Sequence, residues 1–361
     1  MAQQISPLLS PAELTQELPV SRDLWCAKNP GEWRDIYLQI GISTRKGVSI
    51  AHCISFLPQI LDQPDLDVAL SALVAIHCVW AIVWNNSQLS AIVRGPLRNE
   101  PLPNALLAST PWENGIPQFL ENFRLILLDW NELFRPEMAL VLERTLLNVH
   151  VSFEQVQLFA GKEGEEEARR MFPILRQWST TSDARKAVWH AGQVLKAATH
   201  CASTHLRDFQ AICLYHAGMT FWAYAVLLAS PSGQQQLHPR CQSHPRACSG
   251  FGSAELVCLD GNDGPAVQKF VALGRGSPVI NPLTSTSHSG LARPIHLEDQ
   301  KAVMDVCIKL LRRKSPGEED RSSLPLVENL SQLMGDLGNA AHELLHGGAR
   351  RSREGQAASS S

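Results

Sequence analysis

Apolar residues recur at helical spacing through most of the chain, and residues 182–200 show the pattern most sharply. This stretch, "SDARKAVWHAGQVLKAATH", begins with Ser182 or Asp183 as a candidate N-cap. Residues three and four apart share one face of a helix, so its apolar positions form a single stripe. The stripe consists of Ala184, Ala187, Val188, Ala191, Val194, Leu195 and Ala198. The pattern predicts an amphipathic helix that buries this stripe.

Comparable spacing predicts further helices, giving about ten in the whole chain. They cover residues 32–39, 48–59, 68–84, 117–130, 137–160, 161–178, 206–230, 264–274, 298–313 and 323–346. No run of five or more residues alternates between apolar and polar, so we predict no strands. The expected fold class is therefore all-α.

Turn-forming residues suggest how the chain is organised. Residues 1–17 are expected to be a loose lead-in, and residues 18–347 a single large helical domain. The stretch 231–254 is polar and rich in Pro, Gly and Ser, which predicts a loop inside that domain. Gly347 and Gly348 are expected to end the last helix, and residues 348–361 to form a disordered tail.

Composition and charge narrow the function classes. The chain has 32 Lys and Arg against 35 Asp and Glu, so its net charge of -3 creates no overall attraction for nucleic acid. The nine cysteines and the absence of a signal peptide indicate reduced thiols inside a cell.

Residues 68–84 lack charged side chains but fall short of the roughly 20 apolar residues of a membrane span. No comparable second stretch is visible, so we expect a buried helix and no membrane contact.

The sequence "AAHELLHGG" near the C-terminus contains a candidate metal site. His342, Glu343 and His346 match the H-E-x-x-H pattern, in which two histidines bind zinc and the glutamate is the general base. Ser352 stands where the metzincin extension requires a third histidine. The same residues complete an apolar-striped helix. We favour this structural role, with no metal, cofactor or enzyme activity, and keep a zinc-dependent hydrolase as the alternative.

A second cluster of ligand-type residues lies in and after the polar loop. It contains Cys241, His244, Cys248 and Cys258, but no C-x-x-C pair occurs anywhere in the chain. A structural zinc site normally requires such a pair or a similarly regular spacing. We therefore interpret these residues as incidental.

Four stretches together resemble a known family, the fungal-specific transcription factors. "ELPVSRDLWCAKNPGEW" is similar to the L-P-x(4)-L-W-x-A-x(4)-E-W signature of their regulatory, or middle homology, domain. "ARKAVWHAGQVLKAA" is similar to a helix of the branch that carries two-Cys two-His zinc fingers. "LDGNDGPAVQKFVALGRGSP" and "LPLVENLSQLMGDLG" resemble later blocks of that branch. The matching residues of the first two stretches are Leu18, Pro19, Leu24, Trp25, Ala27, Glu32, Trp33, Arg185, Ala187, Trp189, His190, Ala191, Gly192 and Gln193.

The resemblance implies an all-α regulatory domain that works in the nucleus through protein partners. The partner would be a DNA-binding transcription factor or a second copy of the chain, and a fungal biosynthetic gene cluster is a candidate target. Neither a zinc finger nor a six-cysteine cluster occurs in the sequence, so direct sequence-specific DNA binding is not expected. Trp25, Trp33 and Trp189 lie in apolar helical contexts, and we expect all three to be buried and structural.

Overall fold

The computed structural model describes residues 13, 15–41, 49–50, 63, 65–94, 111–129, 136–202, 206–229, 255–283, 293–313 and 324–358. For residues 86–87, 89–94, 111–114, 127–129 and 344–358 it gives the backbone alone. The chain divides into two compact units, Met1–Met138 and Ala139–Ser361. The loop predicted at 231–254 and nearly all of the helix predicted at 48–59 lie outside the described residues.

The described residues are mostly helical, which confirms the all-α prediction. Twelve helices are described: α1 Arg22–Cys26, α2 Pro30–Ile40, α3 Val68–Arg94, α4 Pro111–Asp129, α5 Pro136–His150, α6 Phe153–Phe159, α7 Glu165–Ser179, α8 Ser182–His200, α9 Asp208–Ala229, α10 Pro265–Leu273, α11 Gln300–Leu311 and α12 Pro325–Ala358.

The first unit begins with short segments held by side-chain caps and backbone pairing. Ser21 caps α1 by accepting a hydrogen bond from the Asp23 backbone N–H, and Asn29 caps α2 in the same way through Glu32. The Pro19 carbonyl accepts a hydrogen bond from the backbone N–H of Asp67, at 2.9 Å. This bond ties the segment before α1 to the start of α3.

The second unit is built around α9, whose side chains are almost all buried. Helices α7, α8, α11 and α12 pack against it. The apolar stripe predicted on α8 is buried at all seven positions, with exposures of 0 to 1%. Because α9 is apolar on every side, it must be surrounded by other elements to be stable in water.

The prediction that the chain has no strands is wrong. Three short strands, β1 Leu256–Cys258, β2 Ser277–Ile280 and β3 Ile295–His296, form a sheet in sequence order. β1 and β2 are parallel and are joined through α10, whereas β2 and β3 are antiparallel. Strands of two to four residues are too short to show an alternating pattern, so the sequence gives no periodic signal for them.

Two further predictions about helices need correction. Gly347 and Gly348 do not end the last helix, because the backbone of α12 stays helical to Ala358. In addition, two helices of the described residues, not one, are long and apolar enough to cross a membrane by length and composition. The candidate segments are Val68–Asn85 and Asp208–Ala229, and 83% of the second is buried inside the fold.

Candidate functional site

Helix α8 carries the most sharply periodic apolar stripe of the chain, and its N-terminus is capped by Thr181. The Thr181 hydroxyl accepts a hydrogen bond from the Ala184 backbone N–H, at 3.2 Å. Thr181 therefore takes the role that the sequence suggested for Ser182 or Asp183. The cap fixes the start of the helix and hence the directions in which its side chains point.

One side of α8 contacts the segment between β1 and α10 so closely that only glycine fits at position 192. A Cβ atom added to Gly192 would lie against the carbonyl group of Leu259 and only 2.6 Å from its Cβ. Real Cβ atoms do not approach other heavy atoms so closely. Gly192 therefore allows the two backbones to pack directly against each other.

Polar side chains beside Gly192 bind the carbonyl groups of the same segment. The Gln193 side-chain amide donates to the carbonyl oxygens of Leu259, at 2.7 Å, and Gly261, at 3.1 Å. The Lys196 ammonium group donates to the Gly261 carbonyl, at 3.2 Å, and to the Asn262 side chain, at 2.8 Å. These hydrogen bonds pair the carbonyl groups of an irregular turn. Without them, the carbonyl groups would give up their hydrogen bonds to water on folding and gain none in return.

Arg185 extends this contact surface to the end of α10. Its guanidinium group donates to the carbonyl oxygens of Val271, at 2.9 Å, and Ala272, at 3.3 Å. It also donates to the Thr180 carbonyl, at 3.1 Å. A cation at the C-terminus of a helix is favourable because the last carbonyl groups lack partners within the helix.

The turn after β1 is tied to β2 through Asp260. The Asp260 carboxylate accepts hydrogen bonds from the Asn281 backbone N–H, at 3.1 Å, and from the Cys258 thiol, at 3.2 Å. Burial, together with the adjacent Asp260 carboxylate, raises the pKa of Cys258 to about 11. The thiol is therefore protonated at neutral pH and is poorly suited to act as a nucleophile or metal ligand.

A second side of α8 forms polar contacts with α5. The His190 ring nitrogen Nδ1 lies 2.8 Å from the Glu143 carboxylate, and the His150 Nδ1 lies 3.2 Å from the Asp183 carboxylate. The two imidazole rings are stacked nearly parallel, with centroids 5.8 Å apart. Burial lowers the pKa of His150, so its ring is neutral at neutral pH.

A buried arginine lies close to this pair. Arg144 follows Glu143 on α5, and its guanidinium group lies 5.7 Å from the centroid of the Phe153 ring. It also approaches the His216 Nδ1, at 3.4 Å, and can only donate there, so that nitrogen accepts and the ring is neutral. Burial, reinforced by Arg144, lowers the pKa of His216 well below its usual value.

The residues predicted to be structural differ in their exposure between the two units. In the first unit Leu18 and Leu24 are buried, whereas Trp25 is 76% and Trp33 is 45% exposed. The prediction that these two tryptophans are core residues is therefore wrong. Trp33 stacks on Tyr37, one turn further along α2. In the second unit Trp189 is only 6% exposed, as predicted.

The H-E-x-x-H residues lie on α12. The side chains of His342 and Glu343 are exposed, and that of His346 lies outside the described side chains. Among the described residues, no group of three or more His, Cys, Asp and Glu side chains could hold a metal ion. Cys241, His244 and Cys248 fall outside the described residues, and Cys258 belongs to β1.

The sequence reasoning missed the partners of His190, although a signal for them was present. Glu143 and Arg144 interrupt an apolar run in the middle of α5, and both are about 95% buried. Adjacent charged residues inside an apolar helix require polar partners, because an isolated buried charge is very costly. Such a pair therefore predicts a complementary polar group on a neighbouring helix.

Comparison with known proteins returned no match among family models, curated proteins or solved structures.

Proposed function

We propose that this chain is an all-α regulatory domain of the fungal-specific transcription factor class, acting in the nucleus through protein partners. The observation that supports this most strongly is the contact between α8 and the segment after β1. It joins two stretches that resemble the family separately, although 60 residues lie between them in the sequence.

The residues at this contact are the ones on which the resemblance depends. Gly192 and Gln193 belong to the α8 motif, and Leu259 and Gly261 belong to the "LDGNDG" block. Both stretches are needed for one contact. In it Gly192 lies close to Leu259, and the Gln193 side chain forms two hydrogen bonds to the second stretch. This contact between the two stretches supports the proposal.

Three arginines near the ends of α8 and α11 bind groups of the chain itself, which favours protein partners over direct DNA reading. Arg185 caps α10, and Arg313 donates to the Thr199 carbonyl at the end of α8, at 3.0 Å. Arg312 pairs with Glu328. These guanidinium groups are engaged inside the chain, whereas nucleic-acid binding needs cations that face phosphates.

Exposed apolar side chains of the first unit also favour a protein partner. Trp25 and Leu38 are 76% and 62% exposed, and α2 has no buried residue. Tryptophan is enriched at the energetic centres of protein interfaces. A DNA-binding transcription factor or a second copy of the chain would suit the proposed role.

A tethered reporter tests this proposal. The chain is fused to an unrelated DNA-binding module, and transcription from a promoter carrying the matching site is measured in a fungal host. We expect the fusion to change transcription relative to the module alone. An unchanged signal from a fusion that is folded and nuclear would contradict the proposal.

A selection of random DNA with the purified chain tests the accompanying claim about DNA. At about 150 mM salt non-specific binding is weak, and we expect no enriched motif. Nanomolar binding to a defined sequence would instead imply direct DNA reading, as specific factors reach roughly 10⁻⁸ M or tighter.

Metal analysis separates this proposal from the hydrolase. Stoichiometric zinc that is lost on substituting His342→Ala and His346→Ala would favour the enzyme. The proposed regulatory function predicts that zinc is absent from both the wild-type protein and these variants.

A further inference from the structure

The stacked histidines His150 and His190 hold α5 and α8 together through two reciprocal contacts. His150 on α5 contacts Asp183 on α8, and His190 on α8 contacts Glu143 on α5. The ring centroids are 5.8 Å apart and the ring planes differ by 4°. These residues lie on a side of α8 that is separate from the Gly192 contact, so the proposed function does not depend on them.

The positions of the hydrogens follow from the partners. A carboxylate only accepts hydrogen bonds, so Nδ1 carries the hydrogen in both rings. Proton uptake by either ring therefore takes place at Nε2 and makes that ring a cation. The contacts between the rings and their carboxylates survive when one ring is protonated, because the carboxylate next to that ring offsets the new charge.

A second proton has a different effect. The His150 and His190 side chains are 7% and 3% exposed, so water scarcely screens the repulsion between two facing cations. The buried Glu143 carboxylate offsets the charge of His190, but Asp183 offsets that of His150 only in part, because its side chain is 59% exposed and its charge is screened by solvent.

The other described groups around the stack do not favour the doubly protonated state. Lys186 on α8 adds positive charge that acts on His150. Helix α7 contributes the uncharged indole of Trp178, which donates to the His150 carbonyl at 2.8 Å. Arg144, which follows Glu143 on α5, is a further buried cation that approaches His216. Burial lowers the pKa of His150 and Asp183 raises it, while His190 and Lys186 lower it further, so that the net direction is down.

We infer that the His150–His190 stack is an acid-sensitive joint, which holds α5 against α8 while at most one ring is charged and opens when both are. The opened state binds more protons than the closed state, so linkage requires opening to increase as the pH falls. Burial lowers the pKa of His150, so His150 is protonated in the closed state only below the ordinary histidine pKa of about 6.5. Because the Trp178 indole bonds to the His150 carbonyl, opening also alters the environment of Trp178.

A nuclear magnetic resonance titration of the purified full-length chain tests this inference. The histidine Cε1–H resonances and the Trp178 indole N–H are followed from about pH 7.5 to about pH 5, across the histidine range. We expect His150 to titrate below the ordinary histidine range, and the Trp178 resonance to shift as His150 takes up its proton. Titration of His150 with no change at Trp178 would overturn the inference.

Variants provide a second, independent measurement. His150→Gln removes one of the two titrating rings, and His200→Gln is a matched control for a histidine at the exposed end of α8. Hydrogen exchange in the last turn of α5, corrected for intrinsic rates, should speed up about tenfold for each pH unit over which opening takes up one proton. We expect this acceleration in wild type and His200→Gln and its loss in His150→Gln. Its persistence in His150→Gln would overturn the inference, and the wild-type titration decides the matter if that variant does not fold.

Discussion

Helices α8 and α2 both carry tryptophans from stretches that resemble the same family, yet the structure uses them in opposite ways. Trp189 on α8 is 6% exposed, in a helix with twelve buried residues. Trp33 on α2 is 45% exposed, in a helix with no buried residue. A tryptophan in a stretch that resembles the family therefore has no fixed physical role, and we expect α8 to organise a core and α2 to present a surface.

The difference between the two helices follows from what each contacts. Helix α8 packs against α9 through its apolar stripe and against the β1–α10 segment through Gly192 and Gln193. Helix α2 is stabilised locally: the Asn29 side chain accepts from the Glu32 N–H, at 2.9 Å, and Gly41 closes its C-terminus in the left-handed region. Local caps form a helix without burying it, which leaves its aromatic side chains available to a partner.

The largest expected effect separates the tryptophans of the two regions. Trp189→Ala should lower the free energy of unfolding of the second unit by about 3 to 5 kcal/mol, because it removes a buried aromatic side chain. Trp25→Ala should change stability by less than about 0.5 kcal/mol, because its side chain is mostly in water. Urea denaturation followed by circular dichroism measures both. Equal losses in the two variants would remove the distinction between core and surface.

A smaller effect is expected where α8 meets the β1–α10 segment. Gly192→Ala should cost about 1 to 3 kcal/mol, because the new methyl group overlaps the backbone of Leu259 and forces the segment to move. Gly335→Ala on α12 is the matched control, since its Cβ would meet only Ile308, at an ordinary 3.9 Å. Alanine is a better helix former than glycine, so this control should be neutral or stabilising by up to about 1 kcal/mol. Melting curves of the two variants should therefore shift in opposite directions, and a stable Gly192→Ala variant would show that the close contact does not form.

The cap provided by Arg185 should have a still smaller effect. Arg185→Met keeps the aliphatic stem but removes the bonds to the Val271 and Ala272 carbonyl groups, at an expected cost of about 1 to 2 kcal/mol. Arg169→Met tests an arginine whose ion pair with Glu165 is exposed, and it should cost less than about 0.5 kcal/mol. Denaturant midpoints distinguish these values. A neutral Arg185→Met variant would mean that solvent replaces the cap without loss.

The last expected effect is a dependence of stability on pH, and it concerns His216. Burial lowers the pKa of His216, so the unfolded chain takes up a proton before the folded chain does. Its contribution to stability is therefore present above the unfolded pKa of about 6.5 and is lost as the pH falls below it. His216→Asn should flatten the dependence of melting temperature on pH between about pH 7 and pH 5. An unchanged slope would show that His216 is already protonated in the folded state.

The sequence predicted the repeat of apolar residues within a helix better than it predicted the contacts between elements. The α8 stripe was identified because seven apolar residues repeat at helical spacing, and all seven are buried. The exposure of Trp25 and Trp33 could not be inferred, because a helical pattern does not show whether another element covers the face. The short strands of β1–β3 gave no periodic signal at all.

The candidate site was only partly visible for the same reason. Gly192 and Gln193 were recognised through the resemblance, but their contact with Leu259 joins positions far apart in the sequence. The reciprocal pairs of His150 with Asp183 and of His190 with Glu143 also form only when α5 and α8 pack together. Local sequence identifies each residue but not its partner across the core.

We propose that α8 and the β1–α10 segment form the framework of a transcriptional regulatory domain. The most direct test is the tethered reporter, measured for wild type, Gly192→Val and Gly335→Ala at matched nuclear abundance. Valine at position 192 would displace the segment around Leu259, whereas alanine at position 335 makes only an ordinary contact. We predict that wild type and Gly335→Ala change transcription equally and that Gly192→Val does not. Equal activity of all three fusions, or no activity from wild type, would contradict the account.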